Sequence, residues 1–139
     1  MERTLGIIKP DAFRKGVTGE IISMYLKEGF AIAAMKLIRM SREQAAGFYA
    51  VHEGQPFFEP LCEFMSSGPC IVLCLAGENV IERNRKLMGT ATDPAKAEPG
   101  SIRARFGSNI QNNAVHGSDS PQTAAFELGY FFNAFEVVA

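Results

Sequence analysis

Cys70-Ile71-Val72-Leu73-Cys74-Leu75-Ala76 (CIVLCLA) is a run of seven apolar residues about one strand long. A strand with no polar face is buried on both sides, so this segment predicts an interior strand of a covered sheet. Upstream, Thr4 to Lys9 (TLGIIK) is a short run stopped by Pro10 and reads as a first strand. A turn follows. Ile21, Ile22, Tyr25 and Leu26 then recur at helical spacing up to Gly29, and Phe30 to Met40 reads as a second strand. Ser41 and Gln44 match a capping box that opens a helix carrying Phe48 and Tyr49, and Leu61 to Met65 predicts a short helix beyond Pro56 and Pro60. Downstream, Val80 to Met88 predicts a helix ending at Gly89, followed by a loop from Thr90 to Asn112. A short strand at Asn113–Val115 leads to Ser120-Pro121, an N-cap with proline at the first helical position, and a last helix to about Phe132. The order β-α-β-α-α-β-α-loop-β-α is the split β-α-β pattern of an α+β, ferredoxin-like sandwich, a four-stranded antiparallel sheet with helices packed on one face.

The 139 residues predict a single domain, 1–139, long enough to bury a core without disulfide or metal staples. A net charge of −1 excludes a generally basic nucleic-acid binder, so any anion site must be a local cluster. MERTLGIIKP has no basic segment followed by a long apolar one, and no apolar run approaches the roughly 20 residues that span a bilayer. Cys62, Cys70 and Cys74 are odd in number and lack CxxC spacing, which predicts reduced core thiols in a cytoplasmic protein, with Cys70 and Cys74 on one strand face.

No GxxxxGK[ST] or GxGxxG motif is present. Arg83, Arg85, Lys86, Arg103 and Arg105 bracket the long loop, with Thr90 and Thr92 inside it. Guanidiniums and hydroxyls suit phosphate oxygens, and the same cluster also reads as a solvated basic face. Lys9, at the end of a central strand, reads equally as a snorkelling surface lysine or a site lysine. His116 lies in Asn113-Ala114-Val115-His116-Gly117-Ser118-Asp119-Ser120 (NAVHGSDS), among small and polar neighbours that leave an imidazole reachable. Glu127 follows about two helical turns after Pro121, where a reversal at Gly117 returns it towards His116. A carboxylate on one ring N–H fixes the tautomer and leaves the other nitrogen free to attack a phosphoryl group. Ser118 or Ser120 as a nucleophile with His116 as base is disfavoured by their adjacency and by the lack of a GxSxG elbow. His52, beside Tyr49 and Glu53, reads as structural.

Ile7 to Ala12 (IIKPDA), Gly19 to Ile22 (GEII), His52 to Phe58 (HEGQPFF), Asn84 to Gly89 (NRKLMG), Pro99 to Arg103 (PGSIR) and NAVHGSDS together resemble the nucleoside diphosphate kinase family, in its order across nearly the whole chain. The resemblance implies a ping-pong reaction in which the γ-phosphoryl of a nucleoside triphosphate passes to His116 and then to a nucleoside diphosphate. It implies that Glu127 orients His116, that Ser118 holds Glu127, and that Lys9, Tyr49 and Asn113 lie near the transferred phosphate. Arg85, Thr92 and Arg103 would serve the other phosphates. Phe57 would stack on the base, with Leu61 and Ile110 beside it, giving broad base tolerance. Mg²⁺ would be held by the nucleotide's phosphates rather than by a protein cage. The implied assembly is a homo-oligomer, with a hexamer favoured over a tetramer through Pro99.

Three departures from the family pattern stand out. One extra residue separates Gly89 from Pro94, which bears on whether Thr92 or Thr90 is the phosphate donor. Arg105 replaces a customary Asp, and Gln55 a customary basic residue. The competing expectations are a nucleotide-binding regulatory module without catalysis and an RNA-binding domain of similar topology. The intact lysine, tyrosine, arginine, asparagine and histidine set argues against the first. The absence of aromatics from CIVLCLA and of an RNP1 motif argues against the second.

Overall fold

In a computed structural model that describes all 139 residues, CIVLCLA lies inside strand β3 (Cys70–Gly77). All eight residues of β3 are buried. The strand runs antiparallel between β1 (Glu2–Ile8) and β2 (Ala31–Ile38), and β1 pairs on its other side with β4 (Val115–Gly117). The sheet order is β2-β3-β1-β4, all antiparallel, which is the expected ferredoxin-like arrangement.

Helices cover both faces of the sheet, not one. Alternation along β3 sends Cys70, Val72, Cys74 and Ala76 into one core and Ile71, Leu73 and Leu75 into another. The first core receives Phe48 from α3 (Arg42–Phe48) and Phe58, Cys62 and Met65 from α4 (Phe58–Met65). The second receives Ile21 and Tyr25 from α2 (Thr18–Lys27) and Val80 and Met88 from α5 (Val80–Met88). A strand apolar on both sides needs cover on both sides, and the four helices supply it.

Two short helices interrupt segments expected to be turn or loop. Pro10 at the first helical position and Asp11 in the first turn start α1 (Pro10–Arg14). Within the long loop, Ser101 accepts from the Ala104 N–H and starts α6 (Ile102–Phe106), whose Ile102 is fully buried in the second core. Five residues are too few to show a helical period. The strand expected at Asn113–Val115 begins instead at Val115, because Ala114 has φ +75° and cannot join a ladder. The final helix α7 (Pro121–Phe131) opens with a capping box between Ser120 and Thr123. The Ser41–Gln44 capping box of α3 forms as expected. Cys62, Cys70 and Cys74 are buried and unpaired.

Candidate active site

β4 is short, but it gathers the site. His116 pairs with Ile7 of β1, and the ladder puts its side chain on the α3 and α7 face. There the Phe48 ring meets the imidazole edge-on with centroids 5.6 Å apart. Glu127 lies across from it on α7. Its Oε1 is 2.9 Å from His116 Nε2 and also accepts a 2.7 Å bond from the Ser118 hydroxyl. Ser118 Oγ in turn accepts from the Leu5 N–H of β1 at 3.2 Å, so the sheet backbone fixes the serine, the serine fixes the carboxylate, and the carboxylate fixes the ring. A carboxylate only accepts, so Nε2 carries the proton of the neutral ring and Nδ1 keeps the lone pair.

Three cations are attached along the same short segment. Lys9 Nζ donates to Asn113 Oδ1 at 2.9 Å and to the Gln111 carbonyl at 3.2 Å. Arg103 donates to the Val115 carbonyl and Arg85 to the Gly117 carbonyl, each at 3.1 Å, the residues on either side of His116. Arg103 also donates to the carbonyls of Gly89 and Ala91. None of the three is within salt-bridge distance of a carboxylate; the ion pairs of the molecule lie elsewhere, apart from His116 with Glu127. Burial lowers the Lys9 ammonium to about 8, with Asp11 opposing the shift and Arg103 adding to it. Burial and then the neighbouring Arg85 lower Arg103 to about 10. Burial of Lys9 and Arg103 without a carboxylate in ion-pair contact is costly, and an anion placed among the cations relieves the cost. Tyr49 is buried, and desolvation followed by the nearby Glu127 charge raises its phenol far above the ordinary range, so it remains a proton donor.

The loop residues separate clearly. The Thr90 hydroxyl donates to Glu98 at 2.8 Å, whereas the Thr92 side chain is exposed and its carbonyl accepts from Asn113 Nδ2. The Thr92 hydroxyl is thus left unengaged, whereas that of Thr90 is taken by Glu98. Phe57 is 49 % exposed and Ile110 64 %. Gln111 Nε2 donates to the Pro60 carbonyl and ties the turn bearing Ile110 to the start of α4, where Phe57 and Leu61 lie. His52 stands 5.2 Å, centroid to centroid, from the Phe57 ring. Arg105 lies over the Phe106 ring and Gln55 is exposed, neither in contact with His116. Two contacts escaped sequence reasoning: Phe48 against the imidazole, and Asp11 beneath the segment before β4. Asp11 was visible in KPD, but nothing in a sequence says which backbone amide a carboxylate will meet.

No three His, Cys, Asp or Glu side chains gather into a metal-holding group, and the cations around β4 suit a metal only when it arrives with phosphates. No helix is long and apolar enough to cross a membrane.

A family model for nucleoside diphosphate kinase matches residues 2–137. The chain is 59 % identical over 138 residues to a nucleoside diphosphate kinase of Trichlorobacter lovleyi, covering 99 % of each. It is 55 % identical to one of Chlamydia abortus, covering 99 % of this chain and 97 % of that one. Among solved structures, a nucleoside diphosphate kinase of Aquifex aeolicus superposes with a TM-score of 0.96 at 47 % identity over 99 % of both chains. A halophilic nucleoside diphosphate kinase from Halobacterium salinarum in complex with CDP gives 0.95 at 36 % identity, covering 99 % of this chain and 91 % of that one. A matched length that is nearly complete, with a fold that superposes throughout, leaves one conclusion: the chain belongs to the nucleoside diphosphate kinase family.

Proposed function

We propose that this chain, acting as one domain over residues 1–139, moves the γ-phosphoryl group of a nucleoside triphosphate to a nucleoside diphosphate through a phosphohistidine at His116. The observation that carries the reading is the relay from Leu5 through Ser118 and Glu127 to Nε2, beside three cations that have no carboxylate in ion-pair contact. The Nδ1 lone pair attacks the γ-phosphorus, and the bond to the bridging oxygen breaks with its electrons leaving on the diphosphate. In the second half, a terminal oxygen of the incoming diphosphate takes the phosphoryl group and returns the lone pair to Nδ1. Phosphoryl transfer of this kind depends on in-line placement and charge neutralisation. Lys9, Tyr49 and Asn113 serve the transferred group, and Arg85, Thr92 and Arg103 the phosphates behind it. Mg²⁺, carried on the nucleotide's phosphates, supplies further neutralisation when bound.

Phe57, Leu61 and Ile110 offer apolar contact to the base and no hydrogen-bonding edge, which supports broad base tolerance. Met35 and Leu37 on edge strand β2 and Leu26 on α2 are 53 %, 63 % and 54 % exposed, which supports a homo-oligomer assembled partly through this face; the preference for a hexamer over a tetramer rests on Pro99 and the family resemblance. Buried, unpaired thiols agree with a cytoplasmic location.

ATP:dGDP phosphate exchange with wild type and His116→Ala tests the reaction. Exchange by the wild type and none by the variant is expected; equal rates would reject His116 as the carrier.

A further inference from the structure

Asp11 is 4 % exposed, sits in the first turn of α1, and has no part in the chemistry described above. Its Oδ2 accepts the Ala114 N–H at 3.1 Å. Ala114 is a fully buried non-glycine residue with φ +75°, and the Val115 N–H donates to the Asn113 carbonyl around it at 2.9 Å. That is a three-residue turn of the rare, strained hand. Strained backbone of this kind persists only where the surroundings enforce it. Here the enforcement comes from one short segment: the Lys9 N–H donates to the Ala114 carbonyl at 2.9 Å, and Asp11 takes the Ala114 N–H. Without Asp11 that N–H would be buried with no acceptor. The turn carries Asn113 at one end, aimed at Lys9 Nζ, and β4 with His116 at the other.

We propose that Asp11 is a positioning residue for phosphoryl transfer, its Oδ2 holding the strained Ala114 turn in register and its Oδ1, buried and free of hydrogen bonds, keeping negative charge near the Lys9 ammonium. The inference rests on the phosphohistidine reading and deepens it. The groups facing Lys9 are Asp11 from α1, the Phe64 ring from α4, Arg103 from α6, and Asn113 with the Gln111 carbonyl from the segment before β4. Asp11 is the anion among them.

The test measures single-turnover phosphorylation of the protein by MgATP for Asp11→Ala and Asp11→Asn, each with and without Ala114→Gly. It adds the pH profile of kcat/KM and hydrogen exchange at the Ala114 amide. Asp11→Ala is expected to slow phosphorylation about 10- to 100-fold, the scale of a small misplacement, and to expose the Ala114 amide. Ala114→Gly should relieve most of that loss, since glycine adopts positive φ without strain. Asp11→Asn keeps a side-chain oxygen for the Ala114 N–H, so protection should survive. It removes the charge that sustains the Lys9 ammonium, so the alkaline limb of kcat/KM should move to lower pH. If Asp11→Ala does not fold, the limb of Asp11→Asn decides alone. Asp11→Ala reacting at the wild-type rate, a loss that Ala114→Gly leaves untouched, or an unmoved limb in Asp11→Asn overturns the proposal. A wild type that takes up no phosphoryl group would remove the phosphohistidine reading itself, whereas a labelled wild type matched by its Asp11 variants removes only this inference.

Discussion

A histidine becomes a directional nucleophile when one of its nitrogens is spoken for, and Glu127 does this for His116. Its Oε1 receives two donors, Ser118 and the ring, at 2.7 and 2.9 Å. Glu127→Gln keeps the size but ends the acceptor-only character, so the tautomer is no longer fixed; kcat for exchange should fall about 10- to 100-fold, with KM little changed. Ser118→Ala strands the buried Leu5 N–H and removes one donor from Glu127, and urea titration should register about 1–3 kcal/mol of lost stability. Lys9 gives a pH prediction. Its folded value lies below its ordinary one, so burying the ammonium costs the folded state fully below pH about 8 and progressively less as pH rises towards 10.5. A bound anion offsets that cost only where Lys9 is charged. Inorganic phosphate should therefore raise the melting temperature more at pH 7 than at pH 10, and a gain that is larger at high pH would contradict the assignment. The pairing of His116 with Glu127 was legible in the spacing of the chain. The role of Asp11 was not, because its partner is a backbone amide some hundred residues away.

At the scale of elements, β4 carries the histidine in a three-residue strand that depends on its neighbours for precision. Gly117 is packed so closely that a Cβ there would lie 2.5 Å from both Asn84 Nδ2 and Met88 Sδ of α5, residues with no exposed surface. Gly117→Ala should cost about 1–3 kcal/mol by thermal or urea unfolding and lower exchange activity by displacing His116. Helix α6 anchors the long loop through Ile102. Ile102→Ala should cost about 2–5 kcal/mol and loosen the segment that carries Arg103, raising KM for nucleotide. Strong periodic elements such as β3, α2 and α5 were readable from sequence because each repeats its signal over two or more turns or several strand positions. The five-residue α1 and α6 were not, since tertiary burial of Ile102 and a single cap at Ser101 decide α6, and neither leaves a period.

For the whole molecule, one sheet holds two cores, and β1 lies in the middle of both. Lys9, Leu5 and Ile7 are thus fixed by the best-buried part of the fold, while exposed Thr92, Ile110 and Phe57 lie on the loop and beside α4 at its rim. The split β-α-β order led to an expectation of helices on one face, which the two cores correct; the two apolar sides of CIVLCLA were the signal that no face was free for solvent. The exposed apolar side chains of β2 and α2 give a prediction at this scale: Leu37→Lys should lower the mass seen by light scattering if that face joins subunits. The most direct test of the central claim is intact-mass spectrometry after brief exposure to MgATP and removal of nucleotide. One acid-labile phosphoryl group per chain, present in wild type and missing from His116→Ala, is the expected result. Exchange of phosphate between ATP and dGDP by a protein that never carries the group would contradict it.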